Sequence, residues 1–523
     1  MASISQEADK FAGINRPLIT ATAMMATTVI VLDINIAAIA LPHMQGGLSA
    51  NQDQVSWVVT TYFMMQATTM AATGWLSARI GRKRLFIGAL MGFAFCSLMS
   101  GNAESIPEIM FFRGLQGMCS APIVPISQAL MLDSYPREKH GQALAIWGTG
   151  VMFAPVMGPV IGGWLTDEFS WRWVFYVSTP FAILGVIGAI FSVKGTATDR
   201  DKPFDMMGYL FLVIALASLQ LTLDRGEIEG WFESNYIIIT MSAVVLGLYL
   251  FIAHSLTTKI PFISPGIFRD RNLMLGIVFQ FMLGFLVLSM NVIMPLFLQN
   301  LREFPILMAA MVMMPRGVGT LIGLVVAGRL SNKVDPRAVI IFGFCCVAFS
   351  AWRLSNFTVD VGIWDFVIAA FFNGIGIGAI WVPLTAVSFW TLPSHLRTEA
   401  STFTSLFRNY GSGIGVSVVI SILSRSQSTA HAHMSERANP YSEAMQEPWL
   451  PEQWSLNSVD GLRLLDSEIS RQAMSIGFFN DFYLIMIGAL ASIPVVMLLR
   501  SRSTTSGRRN RNRVQIPNFV LKF

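Results

Sequence analysis

The chain has 523 residues, of which 53% are hydrophobic and only 13% charged, with a mean hydropathy of +0.56 and a formal net charge of +5. Soluble domains carry about 25% charged residues, so this composition excludes a soluble globular protein and assigns the chain to a membrane. Four cysteines, Cys96, Cys119, Cys345 and Cys346, all fall inside apolar runs, which leaves no basis for a disulfide framework.

A membrane-crossing helix needs about 20 mostly apolar residues. Fourteen stretches meet that length, near 18–41, 55–76, 85–101, 109–132, 142–165, 173–193, 206–223, 236–256, 273–298, 306–328, 338–354, 363–386, 401–423 and 478–499. They are too long, and apolar on too many sides, for the alternating strands of a β-barrel. The first has full span length with no small-residue cleavage site after it, so it is expected to stay as helix 1 rather than act as a signal peptide.

A polar tail, 1–17, precedes span 1, which reads LITATAMMATTVIVLDINIAAIAL and contains one acid, Asp33. A carboxylate in the bilayer core costs roughly 2.5–3.5 kcal/mol on insertion scales, and such groups face a cavity or the bundle interior. Asp33 is therefore the first candidate site residue, able to carry a proton across. The loop after span 2 holds Arg79, Arg82, Lys83 and Arg84, whereas 42–54 and 102–108 hold no Lys or Arg. That alternation continues along the chain and places both termini in the cytoplasm by the positive-inside rule.

Span 4 carries RGLQG, with Arg113, Gln116 and Gly117 on one helix face. A guanidinium at that depth needs carbonyls, water or a carboxylate, and its approach to Asp33 favours the ionised acid. Span 5 carries GVMFAPVMGPVIGG. Gly150, Ala154, Gly158 and Gly162 recur every four residues, with Gly163 beside the last, and form a flat stripe for close helix contact. Pro155 and Pro159 remove backbone donors beside that stripe, which points to a bent helix at a moving interface.

The six spans of 18–193 end at the polar linker 194–205. Two spans, 206–256, and a loop, 257–272, precede the last six spans of 273–499. Within the latter, 424–477 reads as a long hydrophilic loop on the outer side, and 500–523 is a basic tail, read as a cytoplasmic anchor rather than a nucleic-acid arm. Arg316 and Arg408 are intramembrane bases, structural or gating, and Asp481 reads as a charge at the outer end of span 14.

Internal echoes fix the larger plan. Gly74 of GWLSARIGRKR recurs as Gly328 of GRLSNKVDPR, 254 residues on, and Gly117 recurs as Gly374, 257 residues on. Two homologous six-helix halves follow, with 206–256 inserted between them and a site expected at mid-depth between the halves. Candidates for that site by depth are Trp147, Phe153, Met290, Phe372 and Trp381.

The loop with Gly74, Arg79, Gly81 and Arg82, the span-4 RGLQG, the span-5 Gly-Pro…Gly-Gly run, LDINIAAIALP (32–42), WRWVFYVSTP (171–180), LDRGEIEGWF (223–232) and RTEASTFTSLFRNYGSGIG (397–415) together resemble the major facilitator superfamily, in its fourteen-span drug:proton antiporter branch. The resemblance covers 18–499. It implies an all-α fold of two six-helix halves plus two inserted helices and a location in the bacterial inner membrane. The activity it implies is proton-driven efflux of hydrophobic or amphipathic compounds, with a periplasmic adaptor and an outer-membrane channel as partners. Proton coupling through Asp33 and Arg113, and no cofactor beyond the proton gradient, are implied as well. A solute uptake symporter on the same fold is the alternative. One departure is Ala78, where the family loop carries an acid, so the usual charge link of that loop is expected to be missing.

Other chemistry finds little support. GIGIG (374–378) and GSGIG (411–415) lie within spans and no GxxxxGK[ST] occurs, which argues against nucleotide binding. His431 and His433 lack a clear third metal ligand. No nucleophile elbow is present, so the chain does not read as an enzyme.

Overall fold

The computed structural model describes residues 15–499 except 137–138, 196–197, 200–202, 260, 264–265, 268, 331–333, 358–361, 394–395, 440–441 and 443–457. Most of the N-terminal tail, the whole C-terminal tail and the centre of the 424–477 segment therefore lie outside the described residues. The N-terminal half comprises α1 (Arg16–Gly47), α2 (Gln52–Ile80), α3 (Arg82–Asn102), α4 (Ile106–Ser120), α5 (Ile123–Ser134), α6 (His140–Glu168), α7 (Trp173–Tyr176) and α8 (Ser178–Ser192). The inserted pair is α9 (Met206–Arg225) and α10 (Asn235–Thr257). The C-terminal half comprises α11 (Arg271–Leu296), α12 (Ile306–Leu330), α13 (Pro336–Ser355), α14 (Ile363–Trp390), α15 (Arg397–Arg437) and α16 (Val459–Val496).

Among the described residues, 13 helical segments are long and apolar enough to cross a membrane. The remaining expected span, 55–76, is helical within α2 but falls outside that set. Its face carries Thr60, Gln66, Thr68 and Thr73, all buried. A helix packed against α4, α9 and α15 needs less apolar surface than one that faces lipid. The fourth crossing is broken into α4 and α5 around Ala121 and Pro122, where a proline cannot continue the backbone ladder.

The segment expected as an outer loop is in large part helix. α15 continues to Arg437 and α16 begins at Val459, so both run well past the length a bilayer requires. The stretch SRSQSTAHAHMSER is polar but contains no proline or glycine to stop the helix. The two extensions are tied by His431 to Asp466 at 3.1 Å and by Asn480 Nδ2 donating to Ser426 Oγ at 3.2 Å.

Contacts repeat between the halves as the sequence does. A β-carbon on Gly117 would overlap the carbonyl oxygen of Tyr62, which lets α4 and α2 pack backbone to backbone; one on Gly374 would overlap the carbonyl oxygen of Arg316, which does the same for α14 and α12. The second echo joins the halves. A β-carbon on Gly74 of α2 would stand 3.2 Å from Glu399 of α15, and one on Gly328 of α12 would stand 2.6 Å from Ala145 of α6. The same glycine therefore serves two crossed interfaces, α2 with α15 and α12 with α6. The inserted α9 packs on both α2 and α15, and α10 packs on α9, leaving Ile239, Val245, Leu246 and Tyr249 exposed along its outer face.

Gly117→Ala and Gly374→Ala should each lower the melting temperature of the detergent-solubilised protein by several degrees, because overpacking against backbone costs about 1–3 kcal/mol. Gly88→Ala, with nothing within 4 Å of the added carbon, should leave it unchanged or slightly raised. A thermal-shift series on the three variants measures the difference.

Candidate functional site

Asp33 lies at the middle of α1 and is fully buried. It is not alone. Arg113 of α4 donates from Nη1 to Asp33 Oδ2 at 2.7 Å, with 1% and 0% of the two side chains exposed. The same nitrogen reaches Gln116 Oε1 at 2.8 Å, and Gln116 Nε2 donates to Asp33 Oδ1 at 3.1 Å. Ser178 Oγ at the start of α8 donates to the same oxygen at 3.3 Å. The i, i+3 spacing of Arg113 and Gln116 lets both address one carboxylate from one helix face. The guanidinium also sits 4.5 Å from the Tyr62 ring centre and 5.3 Å from that of Phe175. Four crossings, α1, α2, α4 and α7–α8, thus converge on one ion pair in a low-dielectric interior. Gly117 does not make room for Arg113 as such; it admits the backbone of α2, which brings the Tyr62 ring under the guanidinium. Ser178 and Phe175 lie in WRWVFYVSTP, but nothing in that run by itself singles them out as partners of the acid.

The span-5 stripe packs on α1. β-carbons on Gly158 and Gly162 would stand 2.8 Å from Asn35 Cβ and 3.1 Å from Ile36 Cγ2, and one on Gly150 would overlap Met24. Ala154 is fully buried, and α6 runs unbroken through Pro155 and Pro159 from His140 to Glu168, with Gly163 having open space beside it. The stripe thus holds α6 against the helix that bears Asp33, at Asn35 and Ile36 within one turn after that residue and at Met24 before it. The interface with the other half uses a different side of α6, where a β-carbon on Gly148 would stand 3.3 Å from Leu324 and 3.4 Å from Trp381.

At that interface Trp147 and Trp381 meet across the halves, ring centres 5.7 Å apart. Trp147 is 2% exposed and Nε1 lies 3.3 Å from both Ala23 O and Thr27 Oγ1. Arg408 of α15 stands 5.9 Å from the Trp381 ring centre. Met290 of α11 is fully buried in the same apolar cluster. Two pocket candidates do not belong there. Phe153 is 52% exposed, on the α6 face shared with Ile146, Val160 and Trp164, because seven-residue spacing returns to the same side of a helix. Phe372 turns to α13, its ring 5.1 Å from that of Phe349, which is itself exposed. Arg316 is buried and structural in its contacts: it donates to Asn291 Oδ1 and, at 3.3 Å, to the Val287 carbonyl of α11.

The basic loop carries an ionic link despite Ala78. Gly81 adopts φ +92° between α2 and α3, which glycine tolerates. Arg82 pairs with Asp133 at the end of α5, and Arg397 at the start of α15 donates to Asp133 at 2.6 Å and to Leu132 O at 3.1 Å. One carboxylate therefore joins the loop to the other half. Ser401 donates to Gln128 nearby. Arg79 lies over Trp75, 5.1 Å from its ring centre, and the backbone of Ala78 accepts from Asp199 N of the linker at 3.0 Å. Asp481 is not an end charge. It sits well inside α16, fully buried, because that helix begins more than twenty residues earlier.

The family profile of the Major Facilitator Superfamily matches residues 23–416. The chain is 30% identical over 483 residues to the multidrug export protein EmrB of Haemophilus influenzae, covering 92% of this chain and 94% of that one. It is 31% identical over 489 residues to the fatty acid resistance protein FarB of Neisseria gonorrhoeae, covering 92% and 96%. Among solved structures, a double-Trp variant of XylE superposes with a TM-score of 0.61 at 13% identity, covering 92% of this chain and 95% of that one, a likeness of fold. The two-half helical architecture and these matches agree: the chain is a multi-pass membrane protein that belongs to the major facilitator superfamily.

Proposed function

We propose that the protein is a proton-driven multidrug efflux antiporter of the bacterial inner membrane. It exports hydrophobic or amphipathic compounds, and it passes them to a periplasmic adaptor and an outer-membrane channel. The observation that carries the reading is the buried Asp33–Arg113 pair, held by Gln116 and Ser178 with no route for either charge to water. Removing one partner of such a pair leaves an uncompensated charge and costs about 3–5 kcal/mol. A proton on Asp33 removes the acid's share of that cost and leaves the guanidinium's to its remaining partners. It neutralises the acid, while Arg113 keeps Gln116 and the faces of Tyr62 and Phe175. The bond between α1 and α4 is thereby made conditional on protonation, and α1 is the helix on which the α6 stripe rides. Proton uptake and release then bias the movement of α6, whose other side meets α12 and Trp381 of the second half.

The conformation described is closed at the basic end, where Asp133, Arg397, Gln128 and Ser401 join the halves. That suits a transporter waiting to load a proton from the outer side. Trp147 and Trp381 offer aromatic surface to an apolar substrate, and Arg408 beside them suits an amphipathic one with an acidic head. Export is favoured over uptake by the Gly-Pro…Gly-Gly run of α6 and by the likeness to a multidrug export protein, EmrB, and a fatty acid resistance protein, FarB. The extensions of α15 and α16 are the adaptor-facing surface in this reading.

Asp33→Asn should leave the protein folded, because the amide oxygen still accepts from Arg113, yet abolish substrate-induced proton movement in everted vesicles. Arg113→Lys should keep part of the activity and Arg113→Ala none, since the lysine retains charge but not the planar fork. Wild-type proton flux in Asp33→Asn refutes proton coupling through this site.

Trp381→Ala should weaken binding of a hydrophobic dye by about tenfold, roughly 1.4 kcal/mol, with Phe153→Ala unchanged. Fluorescence titration of the purified protein reads both. Deleting residues 443–457 should leave that binding intact while lowering resistance in intact cells; unchanged resistance would remove the segment from any adaptor contact.

A further inference from the structure

We propose that Asp481 is a second proton-binding site, located in the C-terminal half and protonated in the conformation described. Asp481 is fully buried, and neither carboxyl oxygen has a hydrogen-bond partner or an ion-pair partner among the described residues. Gly477, one turn before it on α16, packs against Leu423 of α15, and Gly488, two turns after it, lies toward Leu286 of α11. Residues four and seven apart share a helix face, so Asp481 faces the groove between α11 and α15. Phe478 and Phe482 flank it and pack on Phe297, with ring centres 5.3 and 6.0 Å apart, closing the outer side with aromatic surface.

Among the described residues, no cation forms a hydrogen bond or ion pair with it. On α15, Arg408 stands over Trp381, Arg425 is exposed and Arg397 is bound to Asp133 at the basic end. On α13, Arg353 pairs with Asp365 of α14 and Arg337 donates to the carbonyl of Leu499. On α16 itself, Arg471 is bound to Glu468 and Arg463 lies by Asp460, both in the extension beyond the membrane. On α11, Arg271 opens the helix at the basic end. The other titratable groups of these elements, Cys345 and Cys346 of α13, Glu399, Tyr410, His431, His433, Glu436 and Arg437 of α15, and Asp466 and Tyr483 of α16, form no hydrogen bond with Asp481.

The internal repeat sharpens the point. The contacts of Gly117 and Gly374 make α4 and α14 equivalent, and the position of α14 that corresponds to Arg113 is Ala370, fully buried. The N-terminal half buries an acid with its arginine. At the same offset Asp33 corresponds to Met290, so the C-terminal half lacks that pair altogether and buries its acid on a different crossing, α16. A buried carboxylate with neither cation nor hydrogen bond is the least favourable form available, and the neutral acid is the one that such surroundings permit. The groove between α11 and α15 is where the proton is held, and a shift of either helix against α16 would release it.

The second part of the proposal, that this proton is a transported one, rests on the proton-driven reading; the first part does not. Infrared difference spectra of the full-length protein at neutral pH, wild type minus Asp481→Asn, should show the carbonyl stretch of a neutral carboxylic acid. The same stretch should persist in Asp33→Asn, and a melting curve checks that Asp481→Asn is folded. Carboxylate bands in place of the acid stretch overturn the assignment outright, whatever drives transport. In proteoliposomes, Asp481→Asn should move one proton fewer per substrate than wild type. An unchanged ratio in a protein that shows the acid stretch makes the proton a fixed one and overturns its role in transport.

Discussion

The ion pair between Asp33 and Arg113 governs how the N-terminal half is built. Two opposite charges at 2.7 Å in a bilayer-deep interior interact far more strongly than at a surface, and neither can be abandoned without the other suffering. Everything around the pair serves to place it. Gln116 and Ser178 saturate the carboxylate, and Tyr62 and Phe175 give the guanidinium two aromatic faces. Gly117 brings α2 close enough for Tyr62 to be one of them. A neutral pair of the same shape would hold the helices without responding to protons. The charged pair would make their contact depend on protonation, which is what the proposed exchange requires.

Helix approach is the second constraint. In a membrane no hydrophobic force draws one apolar helix to another, so association depends on packing at short range. Glycines supply it here at repeated positions, and the repeat places Gly74 and Gly328 at two crossed junctions between the halves. Those junctions, with Asp133 bridging Arg82 and Arg397, gather the basic ends together. The α6 stripe has another task. It secures α6 to α1 inside one half, while the opposite part of α6 meets the second half. A single helix therefore touches the Asp33-bearing helix on one side and Trp381 on the other.

The two halves differ in how they treat buried charge. The first pairs its acid with an arginine from the fourth crossing. The second carries Arg316 on polar partners of α11 and leaves Asp481 with no hydrogen-bond partner among the described residues. A pseudo-symmetric frame thus holds chemically unequal interiors. The inserted α9 and α10 lie against α2 and α15, the pair where the halves cross, and present an apolar outer face.

The sequence by itself determined the membrane class, the helical architecture, the two-half repeat and the placing of Asp33, Arg113 and Gln116 within apolar spans. Apolar run length, charge asymmetry and the cost of a buried carboxylate are properties of local composition, and they survive without coordinates. It also named Trp147, Trp381 and Met290 by depth alone. Depth says nothing about azimuth, which is why Phe153 and Phe372 were grouped with them though they face outward or toward α13. Only the tertiary structure decided which helix each face meets. It closed the expected approach of Arg113 to Asp33 into a pair at 2.7 Å and supplied Ser178, Tyr62 and Phe175 from other crossings. It gave the basic loop an acid from α5 where the loop's own position holds Ala78. It moved Asp481 from a helix end to a buried mid-helix site, since α16 continues outward through polar residues whose helix is sustained by pairing with α15 rather than by hydropathy.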